Sequence, residues 1–382
     1  MYIILAIIAT GFLGKYQLLI FGLFITICMY MIVKGKAVYP INRNMILLML
    51  YTISLCVMSL VKHKYSLSFV IIAPILAYYS GLTIGKFSDA NESYIAKCVI
   101  AIAIGFFIHA MLNYSINIGS NTRNTIDFWI KENISATLQA TMLTMIMSML
   151  YWEIFYIKQM PTKFIYITAV ILSLAYITVL GSRTPIAIAL IVFCVSIILD
   201  SILNKNKKRA FKIAIIILVG IISVMAIYKN NLWNIKNSIE SSNIAKRFSD
   251  KYTNQSDYNR FESQILGLKS IFENPLGTEQ NIGNLKYAHN MWLDVGKEYG
   301  LIPFVLLAIY SVSTIFTLIQ LIKNSKISIK YKILITSIYL GVNINFFTEP
   351  IMQGIPFFFI MFTLINGMVD AQYYHLKKGE GR

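Results

Sequence analysis

Chemistry in this chain rests on few side chains: Arg183, Arg247, Arg260 and His289, with Asn290 and Glu298 close to the last. Arg183 lies in Gly181-Ser182-Arg183-Thr184-Pro185, which interrupts an apolar stretch running from 164 to 203. Thr184 suits a helix N-cap and Pro185 the first helical position, so a helix is expected to start here with its free N–H groups beside a guanidinium. That combination binds anions, and an Arg so close to membrane depth is costly unless it does something. Arg260 is expected in the first turn of a helix capped by Asp257, with Phe261, Ile265, Leu268 and Phe272 on its apolar face. Arg247 has Lys246 beside it and Asp250 nearby, an ordinary-looking charge cluster. Of four histidines, His289 alone is expected at a loop-to-helix junction, where a neutral imidazole suits a general base. His63 falls between two lysines, His109 inside a span and His375 in the tail.

Other chemistries lack their residues. No Asp-x-Asp pair occurs to hold a metal–diphosphate complex, no His-x-x-x-His or Cys-x-x-Cys to hold zinc, and no Gly-rich phosphate loop with Lys. The expected cofactor and metal are therefore none. Arginines can neutralise a phosphate leaving group where other sites use a metal. The cysteines (Cys28, Cys56, Cys98 and Cys194) each sit in an apolar run and read as small core residues.

The elements that position these residues are membrane helices. The chain has 382 residues, 57% of them apolar, and its mean hydropathy is +0.64. Apolar runs fall at 2–13, 17–33, 45–61, 67–84, 94–113, 134–157, 163–180, 185–203, 211–228, 299–322, 331–347 and 355–374, which predicts an all-α polytopic membrane protein of about twelve spans. The first run is short enough to be a half-helix packed on the second. It lacks a basic leader and a small-residue cleavage site, so no cleaved signal is expected. Nineteen Lys and Arg lie in the links of one side and six in the short links of the other. The positive-inside rule then places both termini in the cytoplasm and the loop 229–298 outside, together with the links at 114–133, 181–184 and 348–354. Most of the +17 charge is thereby topology signal, and no nucleic-acid partner is expected. The whole chain reads as one integral membrane domain, 1–382. Its long loop is expected to carry short amphipathic helices at the membrane surface, one near Leu232–Phe248, one over 257–273 and one from His289, with Trp292 and Leu293 dipping into the bilayer.

In order, Ser182-Arg183, a large loop with Arg260, Asn274-Pro275-Leu276-Gly277, His289-Asn290-x-x-Leu293 and Glu298-x-Gly300 entering a span resemble the O-antigen ligase/polymerase superfamily, which includes the oligosaccharide repeat-unit (Wzy-type) polymerases. The pattern covers about residues 170–310. The chain departs from it in having Leu266 and Leu268 where the family often has an aromatic residue after the loop arginine.

The resemblance implies a GT-C-type glycosyltransferase of the bacterial cytoplasmic (inner) membrane, independent of metal and nucleotide sugar. Its implied donor is an oligosaccharide on undecaprenyl diphosphate, with membrane lipid around it and a chain-length regulator and a flippase as partner proteins. Arg183 and Arg260 would hold the diphosphate and His289 would deprotonate the acceptor hydroxyl, with inversion at the anomeric carbon. Arg247, Asn290 and Glu298 join them as substrate-binding candidates. Polymerisation of repeat units into O-antigen or capsule is the favoured outcome, and ligation to lipid A core or protein the nearest alternative. A flippase predicts inverted repeats and charges buried mid-bundle, and a non-catalytic partner of an assembly complex predicts no essential residue in the loop.

Overall fold

The computed structural model describes residues 1–12, 41–61, 69–118, 125–205, 250–281 and 286–380, with isolated helical positions between 22 and 33. The runs 17–33 and 211–228, the stretch 232–248, His63 and Arg247 lie outside the described residues or touch them only at those isolated positions. The chain is a helical membrane protein. Among the described residues, five helices are long and apolar enough to cross a bilayer: α2 (Arg43–Val61), α4 (Glu92–Ile116), α8 (Met160–Leu180), α9 (Thr184–Asn204) and α12 (Leu301–Lys323). The other helices are α1 (Tyr2–Ala9), α3 (Phe69–Phe87), α5 (Ala136–Met142), α6 (Thr144–Ser148), α7 (Leu150–Tyr156), α10 (Asp250–Glu273), α11 (Met291–Tyr299), α13 (Ile329–Thr348), α14 (Ile351–Gly354) and α15 (Pro356–Glu380).

The chain divides into two compact units, Met1–His109 with Tyr258–Ser328 and Val342–Arg382, and Ala110–Asp257 with Ile329–Gly341. In the first, α3 and α15 make the most extensive helix pair. Glycines allow it: a Cβ on Gly81 would stand 2.0 Å from the Leu364 carbonyl oxygen, and one on Gly367 would stand 2.0 Å from that of Tyr78. Small residues that bring backbones this close are the usual means of helix association in lipid, where hydrophobic burial gives little drive. The half-helix α1 packs on α4, with Gly105 facing Ala6 and Ala9.

A buried polar network sits between α2, α3, α12 and α15. Asn44 donates to Asp370 at 2.7 Å and to Thr317 at 3.3 Å, while Tyr78 and Ser313 close it through short bonds to Asp370 and Asn44. Every member named here is buried, so the network holds helices in register where water is absent.

The second unit holds α5 to α9. The apolar run 134–157, expected as one span, is broken at Leu143 and Met149, where the backbone N–H groups reach back three residues, to Ala140 and Ile146. Among the described residues, the all-α expectation has one local exception, a two-stranded hairpin of β1 (Thr125–Ile126) and β2 (Asn133–Ile134). Asn113 on α4 and Asn117 just past its end tie it down: Asn113 accepts from Phe128 N at 2.7 Å, and Asn117 accepts from and donates to Ile126.

The link between α8 and α9 is three residues long. Gly181 takes a left-handed φ of 63° to end α8, and Ser182 N reaches the Ile177 carbonyl at 3.3 Å. Arg183, not Thr184, occupies the N-cap position of α9, one residue earlier than the sequence suggested.

Candidate functional site

The site is built on the first unit, where α10, α11 and the α13–α14 link meet. Helix α10 is 24 residues long and begins at Asp250, so Asp257 lies inside it rather than at its cap. Arg260 therefore sits in the third turn, not the first. Ser263 and Ile271 are buried on the inner face, while Phe261, Ile265, Leu268 and Phe272 are exposed. The apolar stripe thus faces outward, and the residues that anchor the helix are small or singly apolar.

Inward anchoring of α10 continues through the Asn274-Pro275-Leu276-Gly277 turn. Leu301 N donates to the Pro275 carbonyl at 2.8 Å and Thr278 N to the Lys297 carbonyl at 2.6 Å. Gly300 has φ 96°, and a Cβ there would stand 2.3 Å from the Pro275 oxygen. Only glycine serves at this position, on both counts. The turn and Glu298-x-Gly300 are one structural device that seats α10 against the start of α12.

Helix α11 is capped by Asn290. Its side-chain oxygen accepts from Trp292 N and Leu293 N, each at 3.1 Å, and its Nδ2 donates to the Phe347 carbonyl at 3.4 Å. Asp294, one turn on, accepts from Ala288 N at 2.6 Å and from Asn290 N at 3.1 Å. This is a reciprocal cap in the manner of a capping box, and it brackets His289, whose φ of 54° is strained for a side chain with a Cβ. Burial pushes the Asp294 carboxyl up to about 6, against the pull of the two backbone donors and of His289 and Lys297. Burial likewise lowers the Lys297 ammonium, whose Nζ donates to the Lys286 carbonyl at 2.8 Å. Asn290 is 3% exposed and its amide is engaged at both ends, so its place is that of a cap that sets His289, rather than a contact to substrate. Trp292 packs inward on the protein, donating to Ser311 at 2.9 Å and meeting Phe346 edge-on.

These supports bring Arg260 and His289 to one carboxylate. Arg260 Nη2 lies 3.7 Å from Glu349 Oε1, and His289 Nδ1 lies 3.9 Å from Glu349 Oε2. The Glu349 side chain is 1% exposed, against 29% for Arg260 and 23% for His289, so the carboxylate lies beneath while the guanidinium and the imidazole face outward. Such an arrangement can hold an anion at the guanidinium and accept a proton at the imidazole. The sequence named Arg260 and His289 but gave Glu349 no role. Its signal was a carboxylate between two apolar runs, followed by Pro350.

Glu298 stands apart from this cluster on α11, accepting from Gln353 Nε2 at 3.1 Å. Arg183 belongs to the second unit, half-buried at the start of α9. Arg247 lies outside the described residues. Among the described residues, no group of three or more His, Cys, Asp or Glu side chains comes together to hold a metal ion. No protein-family model matches the chain, and no curated protein matches it in sequence.

Proposed function

We propose that the protein is a membrane glycosyltransferase that joins oligosaccharide repeat units carried on undecaprenyl diphosphate, at the outer face of a bacterial cytoplasmic membrane. The observation that carries this reading is the pairing of Arg260 and His289 across the buried Glu349 at a part-exposed end of membrane helices. Glycosyl transfer from a lipid diphosphate asks for two things: charge neutralisation at the leaving group and a base at the attacking hydroxyl. Arg260 supplies the first. His289 supplies the second through Nε2, while Glu349 faces Nδ1 and stabilises the imidazolium that forms. The bond that breaks joins the anomeric carbon to the diphosphate oxygen. The one that forms joins that carbon to the acceptor oxygen, with inversion, and the acceptor proton goes to His289.

The role of Arg183 as a second ligand of the diphosphate rests on the residues around it, Gly181 to Pro185, and on its place at the N-terminus of α9. A GT-C-type fold of about twelve spans, cytoplasmic termini and an external site complete the reading, supported by the distribution of Lys and Arg.

The test is transfer by the purified protein in nanodiscs from a synthetic undecaprenyl-diphosphate repeat unit. A ladder of products supports polymerisation. A single transfer that requires lipid A core shifts the reaction to ligation, and labelled lipid crossing a vesicle bilayer without transfer replaces it with a flippase.

A further inference from the structure

A cavity of about 490 Å³ lies in the first unit, lined in part by α11. That is within the ~300–1,000 Å³ range of small-molecule sites. Its inner wall is apolar, from Leu55 on α2, Ile71 on α3 and Met352 and Pro356 around α14. The rest is polar and mixed in sign. Asp294, Lys297 and Glu298 come from α11, Glu279 and Lys286 from the loop before it, and Gln353 from α14.

Three features say what would fill it. First, carboxylates offset the lysines, and Lys297 is already bound to a backbone carbonyl. The lining therefore offers no cationic cradle of the kind a diphosphate needs. Second, the polar groups are interleaved donors and acceptors alongside the rings of Tyr287 and Tyr299, the pattern that suits a neutral polyhydroxy ring. Third, a buried polar atom of a lining residue lacks a hydrogen-bond partner: Gln353 Oε1, whose Nε2 is committed to Glu298. Buried groups of this kind ordinarily have a partner, and a sugar hydroxyl supplies both a donor and an acceptor.

We infer that this cavity is a saccharide-binding site, with Glu298 and Gln353 as the side chains that read the ring hydroxyls. The inference rests on the transferase reading, within which the cavity holds the terminal sugar of the acceptor. Its position fits that task. Asp294 lines the cavity and also holds the backbone on both sides of His289. Tyr287 is two residues from His289, and Gln353 is four from Glu349. Anion binding and sugar reading are thereby divided between the arginine side and the cavity side of α11.

The experiment is saturation-transfer NMR on the full chain in nanodiscs with free, phosphate-free sugars. The probes are glucose, galactose, N-acetylglucosamine, N-acetylgalactosamine, rhamnose and fucose, with inorganic pyrophosphate as competitor. The expected result is millimolar binding of at least one sugar that pyrophosphate does not displace. Gln353→Ala and Glu298→Gln should weaken it at least tenfold, and Arg260→Ala should leave it unchanged. Should Gln353→Ala fail to fold, Met352→Trp, which fills the cavity, should abolish sugar binding. Absence of binding across the panel, displacement by pyrophosphate, or binding indifferent to Glu298, Gln353 and Met352 overturns the inference. Transfer activity separates the two readings. Turnover with no sugar binding removes the cavity site alone. Sugar binding with the expected variant pattern, but no turnover on any lipid-linked donor, removes the transferase and leaves the cavity.

Discussion

Glu349 lies within 4 Å of both Arg260 and His289 and is nearly inaccessible, so within the proposed transferase its task is to position these two groups. Replacing Glu349 by Ala should lower turnover by about 10²-fold through misplacement of both, with the helical circular-dichroism signal unchanged. Retention of full turnover would remove Glu349 from the account. Asp294 makes a second, separable prediction. Its ordinary carboxyl value is 3.8 and burial raises it to about 6 in the folded protein. Between those values the folded state holds a proton that the unfolded state has released. Stability should therefore fall as pH rises from about 4 to about 6 and be level beyond. Asp294→Asn should flatten this slope, as read from the midpoint of thermal unfolding across that range, and an unchanged slope would assign the pH dependence elsewhere. Arg260 and His289 were legible in the sequence by type and context. Glu349 was legible only as an outer-face carboxylate able to line the site, and Asp294 not at all, because their roles depend on contacts to backbone and side chains up to about 90 positions away.

At the scale of elements, the sequence showed what is periodic and hid what is set by packing. Apolar runs gave the long helices, and Asn274-Pro275 ended α10 as expected. The start of α10 was misplaced because Asp257 has the chemistry of a cap, yet the helix extends seven residues further toward the N-terminus. The apolar stripe of α10 was visible, but not that it faces away from the first unit: Phe261 is 70% exposed and Phe272 64%. A membrane surface is the natural cover for such a face. Spin labels at position 261 or 272, in a cysteine-replaced chain in nanodiscs, should collide more with oxygen than with a water-soluble nickel chelate; the reverse would set this face in water. The Asn274–Gly277 turn and Gly300 make a sharper test of seating. Gly300→Ala meets both a left-handed φ and a carbonyl at 2.3 Å. It should destabilise by at least ~1–3 kcal/mol and lower the unfolding midpoint by several degrees. An unaltered midpoint would mean the turn is not what holds α10.

For the whole molecule, composition was enough to show a helical membrane protein. The pairing of α3 with α15 was not read, although Gly81-x-x-x-Gly85 stands in the sequence, because the partner Gly367 lies nearly 300 residues away. Buried carboxylates such as Asp370 and Glu153 were also under-read, since hydropathy averages them away inside apolar runs. None of these residues decides between transfer and transport; turnover does. The decisive measurement is the reaction of purified protein in nanodiscs with a synthetic undecaprenyl-diphosphate repeat unit in the presence of EDTA. The expected result is a product ladder unaffected by the chelator, reduced by about 10²–10³-fold in Arg260→Ala and by about 10²–10⁴-fold in His289→Ala. A ladder that vanishes with EDTA, or one that persists at full rate in both variants, would contradict it.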